Sequence, residues 1–212
     1  MQEGAMKIAT GILFGLLPFL VQERLHAGAQ ESSSEAATHS FNESGSTSVD
    51  GKTVSYLIRR LPVDSFPDLP EAVSTALNRR GCLIPQTYQA HRPENVVQAS
   101  FDRPGSTDWA VLCSAKGTVD LLVFFARMPG KAMTIASAPE LERIEKHGST
   151  KVYGFDWGID PVSPKKVHDA QSGSEHHGSR VDHDALADSI LDQKTIYHFY
   201  TNGQWVKLDL PN

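Results

Sequence analysis

Two cysteines, Cys82 and Cys113, constrain the fold more than any other feature of this chain. They follow a segment with the pattern of an export signal, and paired thiols in an exported protein of this size typically form a disulfide. The bond would tie the end of a predicted helix to a predicted core strand. Closing a loop of about 30 residues in this way stabilises a fold by roughly 3–4 kcal/mol. The alternative is a pair of buried free thiols.

Residues 1–29 have the order of a secretory signal peptide. Lys7 precedes the fourteen-residue apolar run Ile8–Val21, and Ala27-Gly28-Ala29 supplies the small residues that a signal peptidase recognises. An uncleaved anchor is the alternative, but such a run spans roughly 21 Å of a hydrocarbon core of about 30 Å. We therefore expect a secreted or periplasmic protein without stable membrane insertion after signal cleavage.

Charge and composition limit the partners and divide the chain. The formal net charge is −5 at pH 7, which argues against nucleic acid, because a basic face is needed to neutralise phosphates. Residues 30–52 are rich in serine and poor in large apolar side chains, so we expect a flexible polar linker there. Residues 53–212 would then form a single domain.

Apolar spacing predicts one amphipathic helix early in this domain. Its stripe consists of Leu69, Ala72, Val73, Ala76 and Leu77. Asp68 and Glu71 have the spacing of a capping box, and Gly81 follows as a left-handed C-terminal cap. Short helices are expected after Pro139 and after Ser163.

Strand patterns fill most of the remaining domain. We expect strands at 95–101, 108–114, 118–126, 132–137, 151–157, 195–201 and 204–210. The last two flank Asn202-Gly203, a strong hairpin signal. The predicted fold class is therefore α+β, with an antiparallel sheet and the N-terminal helix packed on one face.

A cluster of histidines and aspartates is the best candidate for chemistry. His176, His183, Asp182 and Asp184 carry the imidazole and carboxylate groups that hold a hydrolytic metal. Their spacing matches no known ligand motif. The alternative is a solvated loop in which Asp182 caps a helical turn from His183 to Ile190.

Other catalytic classes find little support. The chain lacks a Gly-x-Ser-x-Gly elbow, and Asp156 with Asp160 would make only a weak pair of glycosidase carboxylates. No catalytic residue and no cofactor is assigned. Trp157 and Trp205 are the aromatic residues most suited to an exposed binding surface, although strand aromatics often pack in a core instead.

Two sequence stretches carry a resemblance. Gly81–Gln86 and Asp108–Ser114 resemble an uncharacterised family of exported bacterial proteins. The resemblance implies a secreted single domain with a disulfide and no assigned activity. We therefore expect an exported, non-catalytic binding or accessory module whose partner is a protein or a component of the cell envelope. The alternative is a metal-dependent hydrolase that uses the cluster at 176–188.

Overall fold

The computed structural model describes residues 40–172, 181–191 and 193–210. The strands are β1 (Phe41–Val49), β2 (Lys52–Pro62), β3 (Leu83–Gln86), β4 (Val96–Ala99), β5 (Asp108–Ala115), β6 (Thr118–Phe124), β7 (Met133–Pro139), β8 (Ile144–Lys146), β9 (Val152–Phe155), β10 (Trp157–Val162), β11 (Ala185–Ile190), β12 (Lys194–Thr201) and β13 (Gln204–Asp209). The helices are α1 (Glu71–Arg80) and α2 (Pro164–Ser172), with 3-10 turns at Val63–Ser65 and Glu140–Glu142.

The predicted fold class is wrong, because this is a mostly β protein with two sheets. Among the described residues, 51% lie in strands and 15% in helices. The first element of the described residues is the β1–β2 hairpin and not a helix. β1 falls inside the predicted linker: its polar side chains are mostly exposed, and cross-strand hydrogen bonds rather than burial hold it in place. No described helix has the length and apolarity to cross a membrane.

The larger sheet has nine strands. Its order is β7-β6-β5-β3-β2-β9-β8, with β1 also paired to β2 and β4 also paired to β5. Among the described strands only β2 and β9 run parallel, so the sheet is mixed. The predicted antiparallel meander survives within it as β4 to β7.

The β5–β6 hairpin is mostly buried, and its two faces enter different cores. Leu112 and Leu121 belong to one apolar cluster. Trp109, Val111 and Cys113 belong to a second cluster, which α1 joins through its buried side chains, including Leu77. The alternation of side chains along each strand therefore places β5 between two cores.

The smaller sheet is an antiparallel meander of four strands in the order β10-β11-β12-β13. Asn202-Gly203 forms the last turn, with φ values of 50° and 80°, as its sequence predicts. Leu186 on one face shares the first cluster with the larger sheet. Phe199 on the other face packs in a third cluster with Val167 of α2.

The side chain of Asn95 joins the two sheets. Its amide donates to the carbonyl oxygens of Pro85 (2.7 Å) and Trp157 (3.2 Å) and accepts from the backbone N–H of Ile159 (3.2 Å). Asn95 therefore pairs with β10 as a neighbouring strand would. Its own backbone is left-handed, with φ of 67°, a conformation that asparagine tolerates better than most residues.

The predicted disulfide between Cys82 and Cys113 is confirmed, with a Cα–Cα distance of 5.0 Å, and no cysteine is free. α1 ends at Gly81, whose φ of 72° is left-handed, and the N–H of Cys82 bonds to the carbonyl oxygen of Leu77 (3.1 Å). This C-terminal cap delivers Cys82 to β5. The predicted capping box is absent: Pro70 precedes the helix, and no side chain caps its N-terminus.

Candidate functional site

The described residues of the predicted metal cluster do not converge. His183 uses both ring nitrogens, with Nδ1 3.1 Å from the carboxylate of Asp182 and Nε2 2.7 Å from the carbonyl oxygen of Tyr200. The carboxylate of Asp184 accepts from the backbone N–H of Ser100 (3.0 Å). His176 lies outside the described residues. Within the described ranges, no group of three or more His, Cys, Asp or Glu residues is placed to hold a metal.

The predicted helical turn from His183 to Ile190 is also wrong. Ala185–Ile190 is instead strand β11. The backbone N–H of Asp184 bonds to the carbonyl oxygen of Ser100 (2.9 Å), so the segment before β11 attaches to the end of β4. Asp184 therefore has a structural role at the junction of the two sheets.

Asp188 organises a second polar group between the sheets. Its carboxylate accepts from the indole N–H of Trp157 (2.6 Å) and from Nε2 of His198 (2.9 Å). Trp157 and His198 are fully buried. Trp157, which we expected on a binding surface, thus lies in the core, and its polar edge is satisfied internally.

Asp156 and Asp160 do not form a glycosidase pair. Burial raises the pKa of Asp156 to about 6, opposed by the charge of Arg143, and burial also raises the pKa of Asp160. Asp156 is buried and precedes β10, whereas Asp160 of β10 is exposed. A carboxylate in the core and one at the surface do not flank a common substrate position, as two cooperating carboxylates must.

Trp205 lies half-buried in an aromatic cluster. Its ring centroid is 5.5 Å from that of Tyr200 and 6.2 Å from that of Phe125, and the guanidinium of Arg127 lies 4.9 Å from the Phe125 centroid. The Nε1 atom of Trp205 is buried without a hydrogen-bond partner among the described residues. The aromatic cluster packs the end of β6 against the β12–β13 hairpin.

A groove beside β4 is the candidate binding site. Its volume is about 570 Å³. It is lined by Ser65, Phe66, Pro67, Asp68, Leu69, Pro93, Val96, Gln98 and Trp109. We call it the Trp109 groove. Ligand sites commonly enclose about 300–1,000 Å³ and combine apolar walls with a few polar groups.

The floor of the Trp109 groove is part of the nine-stranded sheet. Gln98 of β4 lies directly opposite Trp109 of β5 in the strand register, and Val96 lies opposite Val111. The wall is the segment 65–69, between the first 3-10 turn and α1. Because Asp68 does not cap α1, its exposed carboxylate is left at the rim.

Trp109 is the residue of this groove with a polar group unpaired among the described residues. The residue is 8% exposed, and its indole N–H has no hydrogen-bond acceptor in the described part of the chain. A buried donor without an acceptor costs about 1–3 kcal/mol. Trp109 lines the groove, but its Nε1 atom has almost no accessible surface, so an acceptor reaches this N–H only if the side chain shifts.

Sequence reasoning missed this site. Phe66-Pro67 preceded the predicted helix and carried no motif, Asp68 was assigned to the capping box, and Trp109 fitted an ordinary alternating strand. Phe-Pro beside an acidic residue is the only local signal, and it is weak. The site exists because strand pairing places Trp109 next to a loop about forty residues away in sequence.

Comparisons with known proteins add no relative. No family model matches the chain, no curated protein matches it, and no solved structure matches it. The family resemblance expected from Gly81–Gln86 and Asp108–Ser114 therefore stays a prediction.

Proposed function

We propose that the protein is an exported, non-catalytic module that binds an extended apolar peptide segment of another exported protein in the Trp109 groove. The groove itself carries the proposal: its lining is largely apolar and includes Trp109, whose indole N–H has no partner among the described residues. An extended peptide presents a carbonyl oxygen at every residue, so it offers the acceptor that this donor lacks. The Cys82–Cys113 disulfide supports export, because such bonds persist in oxidising compartments.

The walls of the groove suit an apolar peptide. Phe66, Pro67, Leu69 and Pro93 provide apolar contact, and the two prolines have little backbone freedom to lose on binding. Aromatic-lined grooves are a recurrent way to hold extended segments. Asp68 at the rim favours a basic side chain or a peptide N–H at one end of the ligand.

The indole N–H of Trp109 gives a direct test. The 15N-labelled, oxidised protein is titrated with a library of blocked hexapeptides that alternate leucine and proline around one lysine. We expect the indole resonance of Trp109 to move downfield as a hydrogen bond forms. The indole resonance of Trp157 should stay fixed, since this N–H already donates a hydrogen bond to Asp188.

Two matched variants separate the groove from the rest of the surface. Trp109→Phe and Trp205→Phe each remove a buried indole N–H that lacks a partner among the described residues. We expect Trp109→Phe to weaken peptide binding at least tenfold, which corresponds to about 1.4 kcal/mol, while Trp205→Phe binds as the wild type does. Equal affinity of the wild type and Trp109→Phe would exclude the Trp109 groove as the binding site.

A further inference from the structure

Strand β1 is an open edge of the nine-stranded sheet. All nine of its residues pair with β2, from Phe41 opposite Arg60 to Val49 opposite Lys52. β3 pairs with β2 at residues 59–62, and β9 pairs with it at 55–57. Since β1 already occupies one side of these residues, β3 and β9 lie on the other side. No described strand pairs with the outer side of β1.

β1 lacks the features that protect most edge strands. Its sequence, Phe-Asn-Glu-Ser-Gly-Ser-Thr-Ser-Val, contains no lysine, arginine or proline, and its one charged residue, Glu43, is paired with Arg60 of β2. Its register with β2 is continuous, so no bulge twists the edge away. Phe41 at one end is 51% exposed. Long edges without such protection pair readily with another strand.

The turn geometry identifies the backbone groups that face outward. Asp50 and Gly51 form a two-residue turn with φ values of 50° and 73°. The residues that flank such a turn exchange both hydrogen bonds, and narrow and wide pairs then alternate along the hairpin. Odd-numbered residues of β1 therefore bond to β2. The N–H and carbonyl groups of Asn42, Ser44, Ser46 and Ser48 point outward.

These outward groups match those of a second copy of the same strand. An antiparallel pairing with its two-fold axis at Gly45 places Asn42 opposite Ser48, and Ser44 opposite Ser46, of the second copy. Both members of each pair have outward N–H and carbonyl groups, so the pairing forms about eight intermolecular hydrogen bonds. Shifting the register by one residue would lose this match.

The side chains also agree with this pairing. Phe41 lies opposite Val49 of the second copy, so an exposed apolar side chain gains an apolar neighbour. Glu43 lies opposite Thr47 of the second copy and not opposite another Glu43. Gly45 meets Gly45 of the second copy at the axis, where a Cβ atom would already lie 2.9 Å from the hydroxyl of Tyr56. Like charges and bulky groups are therefore absent from the crossing point.

We propose that two copies of the protein pair along β1, about a two-fold axis at Gly45, and join their nine-stranded sheets into one. The contact is isologous, as in most homodimers. It uses a different part of the molecule from the Trp109 groove.

A proline substitution tests the pairing. Ser46→Pro removes an outward N–H that makes no bond to β2, so the hairpin is retained while the intermolecular bonds are lost. Sedimentation equilibrium of the wild type should show a monomer–dimer equilibrium, and Ser46→Pro should weaken dimerisation at least tenfold. Ser46→Ala is the matched control and should dimerise as the wild type does. Unchanged thermal unfolding at a concentration where both are monomers shows that Ser46→Pro is folded.

A distance measurement tests the register independently. Both native cysteines are in the disulfide, so Ser48→Cys accepts a single spin label. The pairing about Gly45 separates the two Cα atoms of residue 48 by about 20 Å. The spin-label distance distribution from pulsed electron paramagnetic resonance should therefore show a peak near that distance. A protein that is monomeric at millimolar concentration, a dimer that Ser46→Pro leaves intact, or a distance distribution without this peak overturns the proposal.

Discussion

Two buried tryptophans, one in each sheet, differ in what their polar edges contact. The indole N–H of Trp157 in the four-stranded sheet donates to Asp188 (2.6 Å), which also accepts from His198 (2.9 Å). The indole N–H of Trp109 in the nine-stranded sheet has no partner among the described residues. Trp109 lines a groove of about 570 Å³. The first arrangement satisfies the indole N–H within the fold, whereas the second leaves an indole N–H unpaired in the described part of the chain.

An unpartnered atom indicates a ligand only where there is room for one. Nδ1 of His198 also has no partner among the described residues, but His198 is fully buried. The groove, and not the orphaned atom alone, therefore distinguishes Trp109. Variants that remove each group in turn test this contrast.

Removing Asp188 should have the largest effect. Asp188→Ala leaves the N–H of Trp157 and the ring of His198 buried without their acceptor, so we expect a loss of about 3–5 kcal/mol in the free energy of unfolding. Urea denaturation measures it. Asp209→Ala removes an exposed carboxylate of β13 in the same sheet, where its ion pair with Lys194 lies at the surface, and should change stability far less than Asp188→Ala does. A loss below about 1 kcal/mol for Asp188→Ala would show that this polar group does not stabilise the four-stranded sheet.

Breaking the disulfide should destabilise the elements around the Trp109 groove more than the four-stranded sheet. The double variant Cys82→Ala, Cys113→Ala opens a loop with a sequence separation of 31, and we expect a loss of about 3–4 kcal/mol. Native-state hydrogen exchange should accelerate in α1 and β3 more than in β11–β13. A uniform acceleration would mean that the two sheets unfold as one unit.

The two tryptophans can be compared directly. Trp157→Phe leaves Asp188 without one of its donors and creates a cavity, so we expect a loss of about 2–3 kcal/mol. Trp109→Phe also loses buried volume but removes a donor with no partner among the described residues, so we expect a smaller loss of about 1 kcal/mol. Thermal unfolding of both variants gives the difference. Equal losses would indicate that the N–H of Trp109 finds an acceptor in the folded chain.

Replacing the carboxyl group of Asp156 should change the free energy of unfolding least, and by an amount that depends on pH. Burial raises its pKa from 3.8 to about 6, so the folded state holds the proton more tightly than the unfolded state. The contribution of Asp156 to stability therefore falls as the pH rises from about 4 to about 6. Asp156→Asn should remove this fall and gain roughly 1 kcal/mol at pH 7 after allowance for solvent screening, and nothing below about pH 4. An equal gain at both pH values would contradict this pKa.

Local patterns predicted local structure well. The strands flanking Asn202-Gly203 and the β5–β6 hairpin formed as expected, because turn chemistry and alternation act over a few residues. The Cys82–Cys113 bond was also predicted, since a chain with two thiols allows only one pairing. The export signal lies outside the described residues and stays a prediction.

Patterns failed where pairing partners are distant in sequence. β1 resembles a linker because it pairs along one edge and buries almost nothing. The predicted short helix after Pro139 is only a 3-10 turn followed by β8, which pairs with β9. In the sequence Trp157 resembles a surface aromatic residue. In the structure it is buried, and its indole N–H donates a hydrogen bond to Asp188, 31 residues later.

The amino-acid sequence alone determined the disulfide, the tight hairpins and the apolar strands at the centre, because each depends on neighbouring residues or on residue type. Only the tertiary structure decided that there are two sheets, that Asn95 joins them, and that Trp109 faces a groove while Trp157 is buried. Those outcomes depend on which strands meet across long stretches of chain, and hydrogen bonds between distant segments leave no periodic signal in the residues that form them.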